Sequence, residues 1–229
     1  FFKRNLTKSI EQYLVQFTDK TICVSETDLK LAVDYKIADA AKSVVIPNGI
    51  NISKFSNLKK NTELIHSLGL NEDNFIIGNV SRFDVQKNQK LIIQAAYFLT
   101  KKYPEMRFVF VGGGDLLQRM QQLTRDSNLE DFIIFAGERE NVKDFYSIFD
   151  LFVFPTYWEG MPYVLIEAMA SRLPVICSKL PNLLEVIRPN YSALTINPGI
   201  MDDLFQKISV LYNNKDLRAA IAQNAMIES

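Results

Sequence analysis

Glu159 and Glu167 stand eight positions apart in "PTYWEGMPYVLIEAMA" (155–170), on either side of a Gly-Met-Pro turn. Two carboxylates so placed could be an acid–base pair, two ligands for one substrate, or surface charges beside a helix start. Pro162 suits the first turn of a helix "YVLIEAMAS", which puts Glu159 on the loop before it and Glu167 just over one turn in. The two do not share a helical face, and the amides from Gly160 to Tyr163 are expected to point into the gap between them. Helix N-terminal amides suit an anion. Ionised carboxylates, which only accept hydrogen bonds, suit sugar or ribose hydroxyls. The stretch therefore reads as one carboxylate for each of two polyol ends, with a phosphate on the amides between. The competing reading is a helix-favourable Glu159 and a solvated Glu167, but Val164, Leu165, Ile166 and Ala168 make apolar company for a solvated charge.

Three further loops could contribute. In "SRFDVQKN", Arg82 and Lys87 sit five residues apart on a loop and first helical turn. Two cations beside a helix N-terminus suit a diphosphate, whereas a first-turn lysine is unfavourable to the helix dipole and has no structural reason to be there. An exposed lysine and a surface ion pair form the competing reading. In "GGGDLL" the glycines let backbone approach a ligand or make a tight strand–helix turn, and these remain open alternatives. Leu117 stands where a dinucleotide fingerprint needs its third glycine, so hydride transfer is not supported. "EREN" (138–141) carries charge without a motif and could hold a base against its backbone. Tyr157 and Trp158 could stack on a ligand or simply pack.

Groups of these types must be positioned by a core. The chain has 229 residues, 48% of them hydrophobic and 23% charged, a globular balance with room for a substantial interior. Its 26 basic and 26 acidic side chains cancel, so no overall field draws nucleic acid or a membrane, and an anion must be held by a local cluster. Cys23 and Cys177 lie in apolar runs and read as buried, reduced thiols. One histidine, His66, has no partner motif and reads as structural or exposed, so a histidine-ligated metal site or histidine triad built by this chain is not expected. No apolar run reaches the roughly 18 residues of a membrane span.

Residues 1–20 read as a basic amphipathic helix (Lys3, Arg4, Lys8), with Leu6, Ile10, Tyr13, Leu14 and Phe17 on one face. "KTICVS" and "SVVIPNG" are short strands around a helix that Ser25 could cap. After a turn-rich linker with a short helix, six apolar strands beginning at "FIIGNVS" alternate with helices. This rhythm predicts a doubly wound, Rossmann-like α/β domain with a parallel sheet, from about residue 55 onward. Residues 1–54 hold too few strands for a core of their own and read as the end of another domain plus linker. The first helix lacks a cap and the last a stop signal, which predicts that the chain is a piece of a longer protein.

"VIPNGI", "SRFDVQKN", "FVGGGD", "FAGERENV" and "FDLFVFPTYWEGMPYVLIEAMASRLPVICS", in that order, resemble successive blocks of the family 4 (group 1) glycosyltransferases of the GT-B fold. Glu159 and Glu167, with seven residues between, resemble that family's paired-glutamate signature. The resemblance covers roughly residues 20 to 225. It implies the C-terminal, donor-binding half of a two-domain fold, with a remnant of the N-terminal domain over 1–54 and a C-terminal domain from 55 that stops short of its end. It also implies metal-independent, retaining transfer of a hexosyl group from a nucleoside-diphosphate sugar to a glycan or lipid-linked acceptor, with no separate cofactor. Carried over by position, Arg82 and Lys87 would hold and stabilise the leaving diphosphate. Glu159 would contact the donor sugar and Glu167 the ribose. The backbone at Gly160, Met161, Pro162, Tyr163 and Val164 would meet phosphate and sugar oxygens, and Gly78, Gly137 and Arg139 would border base and phosphates. Arg82, Lys87 and Glu159 are the expected catalytic set.

Arg172, in "SRL", departs from the small residue, commonly glycine, that the family places there, and only a local change is expected. The resemblance implies an acceptor-binding N-terminal domain of which only the end would lie in residues 1–54, so the chain alone is expected to bind nucleotide but to be inactive in transfer. The resemblance implies a cytoplasmic protein of polysaccharide biosynthesis, with peripheral membrane contact through the missing domain and no role for nucleic acid. A non-catalytic nucleotide-sugar-binding module, or a GT-B-like sugar-nucleotide epimerase, is the alternative.

Overall fold

The computed structural model describes the backbone of residues 2–229 and the side chains of residues 6–229. Helix α1 (Phe2–Leu14) runs into a 3-10 turn and is followed by β1 (Thr21–Cys23), α2 (Glu26–Asp34) and β2 (Ser43–Val45). Strands β1 and β2 pair in parallel as a two-stranded sheet. Ser25 caps α2 through its hydroxyl, which accepts from the Asp28 amide. Leu6, Ile10, Tyr13 and Leu14 on α1 and Phe17 in the 3-10 turn after it are all exposed. Of its basic residues, the side chains of Lys3 and Arg4 lie outside the described ones.

After α3 (Thr62–Ser67) come β3 (Phe75–Val80), α4 (Gln89–Lys102), β4 (Met106–Val111), α5 (Leu117–Asp126), β5 (Ile133–Gly137), α6 (Val142–Tyr146), β6 (Leu151–Phe154), α7 (Tyr163–Ala170), β7 (Val175–Ser178), β8 (Leu194–Ile196), α8 (Met201–Asn213) and α9 (Lys215–Glu228). The six strands from β3 onward form one sheet in the order β5-β4-β3-β6-β7-β8, every pair parallel. Alternation along the strands fills two separate cores. Phe75, Ile77, Phe108, Phe110, Leu151 and Val153 pack under α4, α5 and α8. Ile76, Val80, Val109, Phe152, Phe154 and Val175 pack under α3, α6, α7 and α9. Both faces are covered, so the strands read as continuous apolar runs rather than alternating ones.

The strand order decides where a ligand can sit. From β3 the chain moves outward through β4 to β5, then returns to place β6 on the other side of β3. The loops after β3 and β6 therefore leave in opposite directions and open a crevice at the carboxyl edge of the sheet.

The segment over 21–50 rests on the connection between β7 and β8 through polar contacts. The Glu185 carboxylate accepts from the amides of Glu26 and Thr27, both at 2.8 Å. Asn182 Nδ2 donates within 2.9 Å of Ser25 Oγ and Asp28 Oδ1. Burial works against the Glu185 charge, but the bonds from Thr27 and Glu26 outweigh it and hold the carboxyl below its ordinary value.

Helix α7 ends in a left-handed residue, Arg172 (φ 57°), whose amide bonds to Met169 O while that of Leu173 bonds to Ala168 O. This is the two-bond termination in which glycine is the usual left-handed residue. It accounts for the glycine expected at this position.

Candidate functional site at the β3–β6 crevice

The floor of the crevice is a polar ladder inside an apolar sheet. Asn79, buried in β3, donates to Val153 O (2.8 Å) and accepts from Ser81 Oγ (2.7 Å). Gln89 Nε2 lies 2.8 Å from Ser81 Oγ and 2.9 Å from Arg82 O. These bonds fix the loop after β3 before any ligand arrives. Asp84 finishes it: Oδ1 accepts from the Lys87 amide (3.0 Å) and Oδ2 from Arg82 Nε (2.9 Å).

The triglycine turn after β4 braces the same loop from the other side. A side chain at Gly112 (φ 137°) would put its Cβ 2.1 Å from Ser81 O, and one at Gly114 (φ 135°) 2.6 Å from Phe83 O. The Phe83 amide donates to Gly113 O (2.7 Å) and the Leu116 amide to Phe83 O (3.0 Å). The close approach that these glycines permit is to the neighbouring loop, so of the two open readings the tight turn has a structural reason.

Gln86 joins the loops after β3 and β6. Its Nε2 donates to Trp158 O (2.6 Å), and its carbonyl accepts from the Tyr157 amide (2.8 Å). Across this junction Lys87 Nζ lies 2.5 Å from Glu159 Oε1 and 5.2 Å from the centre of the Phe154 ring. The buried Thr156 hydroxyl lies 2.8 Å from the same Glu159 oxygen and 2.9 Å from Gln86 O. Arg82 is paired with Asp84 at 2.9 Å, but its side chain is 73% exposed and faces open solvent.

Arg82 and Arg139 line one open crevice of about 650 Å³, together with Ser81, Gly112, Gly113 and Glu138. Gly137 (φ 73°) closes β5 beside it, with nothing within 4 Å of where a Cβ would be. Arg139 turns back to donate to Ala136 O (2.9 Å). Gly78 is placed differently from expectation. It lies in the middle of β3, paired with Val109 and Phe152, and the Phe149 ring occupies the space of its missing side chain at 2.1 Å. Packing explains this glycine, and it does not border the crevice.

Pro162 is the residue before α7, with extended backbone (φ −76°, ψ 124°), one position earlier than the first-turn place expected of it. The amides of Met161, Tyr163 and Val164 make no hydrogen bond among the described residues. Asn48, from the linker "VIPNGI", holds this turn: its Nδ2 donates to Met161 O (2.7 Å), and its Oδ1 accepts from Tyr163 Oη (3.2 Å). Gly160 sits under α2, where a Cβ would come within 3.1 Å of Val24 and 3.2 Å of Asp28 Oδ2. Glu167 is half-buried one turn further on, and its Oε2 accepts from Tyr146 Oη at 2.8 Å.

Among the candidates, the structure thus brings Lys87 and Glu159 into contact and puts Arg82 with Arg139. Sequence reasoning missed Asp84, Gln86, Asn48, Tyr146 and Thr156. Asp84 and Gln86 were signalled by lying inside the same quoted block as the two cations, and Asn48 and Thr156 likewise lie in the blocks "VIPNGI" and "PTYWEGMPYVLIEAMA"; nothing local marked Tyr146. Tyr157 and Trp158 stack on each other, centroids 6.4 Å apart, and both remain exposed. His66 is exposed near Glu72, and both thiols are buried and free. Burial pushes the Cys177 thiol up to about 12. Among the described residues no group of three or more histidine, cysteine, aspartate or glutamate side chains could hold a metal, and no helix is long and apolar enough to cross a membrane.

The family model described as glycosyl transferases group 1 matches residues 60–227. The chain is 27% identical over 214 residues, 92% of its length and 55% of the relative's, to UDP-Gal:alpha-D-GlcNAc-diphosphoundecaprenol alpha-1,3-galactosyltransferase of Escherichia coli. It is 35% identical over 135 residues, 58% of its length and 35% of the relative's, to the putative glycosyltransferase EpsF of Bacillus subtilis. The chain spans about half the length of the first of these and less of the second. Among solved structures it resembles Anabaena Alr3699/HepE in complex with UDP and glucose, with a TM-score of 0.87 at 21% identity over 98% of this chain and 63% of that one. It also resembles the C-terminal domain of the group 1 protein LpcC from Francisella tularensis, with a TM-score of 0.70 at 24% identity over 79% of this chain and 96% of that one. The likenesses to solved structures show the fold, a Rossmann-like half of the GT-B architecture, and the family match over most of the chain settles kinship: the protein belongs to the group 1 glycosyl transferases.

Proposed function

We propose that the protein is the donor-binding part of a retaining, metal-independent hexosyltransferase that uses a nucleoside-diphosphate sugar. The observation that carries this reading is the contact of Lys87 with Glu159 at the switch point of the sheet, beside free amides at the start of α7, with the exposed Arg82 on the same loop as Lys87. The diphosphate lies along Arg82, Lys87 and those amides. When the bond from the anomeric carbon to the diphosphate oxygen breaks, the pair of electrons leaves on the diphosphate. Fixed cations at that point stabilise the charge as it develops. Glu159 accepts from hydroxyls of the sugar and Glu167 from those of the ribose. The base lies by Gly137 and Arg139, at the mouth of the crevice that Arg82 also lines.

Uridine is the base proposed, because the E. coli relative is named for UDP-Gal and the Anabaena structure holds UDP. The acceptor, a glycan or a lipid-linked saccharide, belongs to the part of the whole enzyme that this chain lacks. With proximity to the acceptor lost, residues 1–229 alone bind donor without transferring sugar. The same reading places the whole enzyme in polysaccharide biosynthesis, at the cytoplasmic face of a membrane.

Calorimetric titration with UDP, GDP and ADP, with and without EDTA, tests it. Saturable binding of UDP that EDTA leaves unchanged, and that Arg82→Ala and Glu167→Ala each weaken in folded protein, supports the reading. Binding that both variants leave intact overturns it.

A further inference from the structure

Tyr146 closes α6, one of the short helices beneath the carboxyl edge of the sheet, and only 1% of it is exposed. Three aromatic rings box it edge-on: Phe55 at 6.0 Å, Phe149 at 6.2 Å and Phe152 at 5.9 Å between centroids. Held this way, the ring cannot swing, and its hydroxyl reaches out of the core at one place. There it donates to Glu167 Oε2 at 2.8 Å, with Val164 O at 3.4 Å as its nearest other acceptor. Among the described residues no hydrogen bond is made to Glu167 Oε1.

We propose that Tyr146 is a positioning residue for Glu167: it engages one carboxylate oxygen and turns the other toward the ribose of the donor nucleotide. This rests on the proposed role of Glu167 as the ribose ligand. A carboxylate at the second turn of a helix has three rotatable bonds. Without a partner for one oxygen it would have to be ordered at the moment of binding, at a cost in affinity. A donor fixed from below by packed aromatics supplies that order in advance. The phenol is fit for the task because it stays protonated: burial first, and then the charge and the hydrogen bond of Glu167, hold its proton well above the ordinary tyrosine range.

The position also links two parts of the chain. Phe55 lies in the turn-rich segment that follows the linker, so the same box that holds Tyr146 ties that segment to the ribose end of the site.

The test uses the intact protein, UDP and 2′,3′-dideoxyuridine 5′-diphosphate as paired probes, and the variants Tyr146→Phe, Glu167→Ala and their double. Wild-type protein is expected to prefer UDP over the dideoxy form by about tenfold or more. Tyr146→Phe should lower UDP affinity about five- to tenfold, leave the dideoxy form within twofold, and add nothing in the Glu167→Ala background. If Tyr146→Phe weakens both probes equally, or weakens UDP as much without Glu167 as with it, the tyrosine is merely structural and the inference is overturned. If Glu167→Ala leaves the preference for UDP intact, or wild-type protein shows none, the ribose reading of Glu167 fails and takes the inference with it. A structure of wild-type protein with UDP gives a readout independent of any variant's folding. Oε2 on Tyr146 with Oε1 on a ribose hydroxyl supports the assignment, and a carboxylate turned off Tyr146 overturns it.

Discussion

Lys87 Nζ sits 2.5 Å from Glu159 Oε1, with the two side chains only 16% and 7% exposed. These residues come from loops 72 positions apart and are proposed to serve opposite ends of one ligand, diphosphate and sugar. In the free protein they neutralise each other, so neither is an unpaired charge out of water. A nucleoside-diphosphate sugar entering the crevice must share Lys87 with Glu159, which couples recognition of the phosphate to placement of the sugar-binding carboxylate.

That pairing has a cost when one partner is removed. Lys87→Met leaves a nearly buried carboxylate uncompensated, and Glu159→Gln leaves a half-buried ammonium, each expected to destabilise by about 1–3 kcal/mol. The double variant should lose less than the sum, with a coupling of about 0.5–3 kcal/mol. Urea denaturation of the four proteins checks this, and additive losses would show that the contact carries no energy.

Arg82 should behave in the opposite way. Its own side chain is 73% exposed, and Asp84 keeps the Lys87 amide as a partner without it, so Arg82→Ala should change stability by no more than about 0.5 kcal/mol. Its charge-assisted bonds to a diphosphate are worth about 1.5–3 kcal/mol, a loss of roughly 10- to 150-fold in UDP affinity. Binding of uridine, which has no phosphate, should be unchanged. Parallel calorimetry with both ligands separates the two effects.

Arg172 stores strain at the end of α7. A left-handed non-glycine residue costs about 1–2 kcal/mol, and glycine gives back about 0.5–1 kcal/mol through its looser unfolded chain. The balance favours Arg172→Gly by about 0.5–1 kcal/mol, or roughly 2 °C in Tm for a domain of this size. The existing bonds from residues 172 and 173 to Met169 and Ala168 are retained in either case. A thermal melt decides it.

The seat of the 21–50 segment should be acid-sensitive. The Glu185 carboxyl is held below its ordinary 4.5 by the bonds from Thr27 and Glu26. Its contribution is fully present above that ordinary value and is lost as pH falls through the lower, folded value. Protection of the Glu26 and Thr27 amides against hydrogen exchange should therefore fall on acidification below about pH 4.5. In Glu185→Ala it should be low throughout.

Much of this architecture was legible because its signals are local. Each strand from β3 to β8 is an apolar run and each intervening helix has its own periodicity, so the alternation alone implies a covered parallel sheet. Glu167 was marked by an unfavourable setting, a carboxylate among Leu165 and Ile166, and Lys87 by being read as a cation in the first turn of a helix, although α4 begins only at Gln89 and leaves Lys87 on the loop before its cap. What escaped depends on pairs distant in the chain. Tyr146 and Glu167 are 21 positions apart, and Asn48 and Met161 are 113 apart. The resemblance implied a ligand role for Gly78, but its neighbour is Phe149, in the connection between α6 and β6 and 71 positions away, a contact that no spacing announces. The triglycine turn, left open between ligand approach and a tight turn, makes room for the backbone of Ser81 and Phe83.

The most direct test of the account is a crystal structure of the intact protein soaked with UDP. The diphosphate should lie within hydrogen-bonding reach of Arg82, Lys87 and the amides at the start of α7, with the ribose hydroxyls on Glu167. A diphosphate bound away from the loops after β3 and β6, or a ribose that leaves Glu167 untouched, would contradict it.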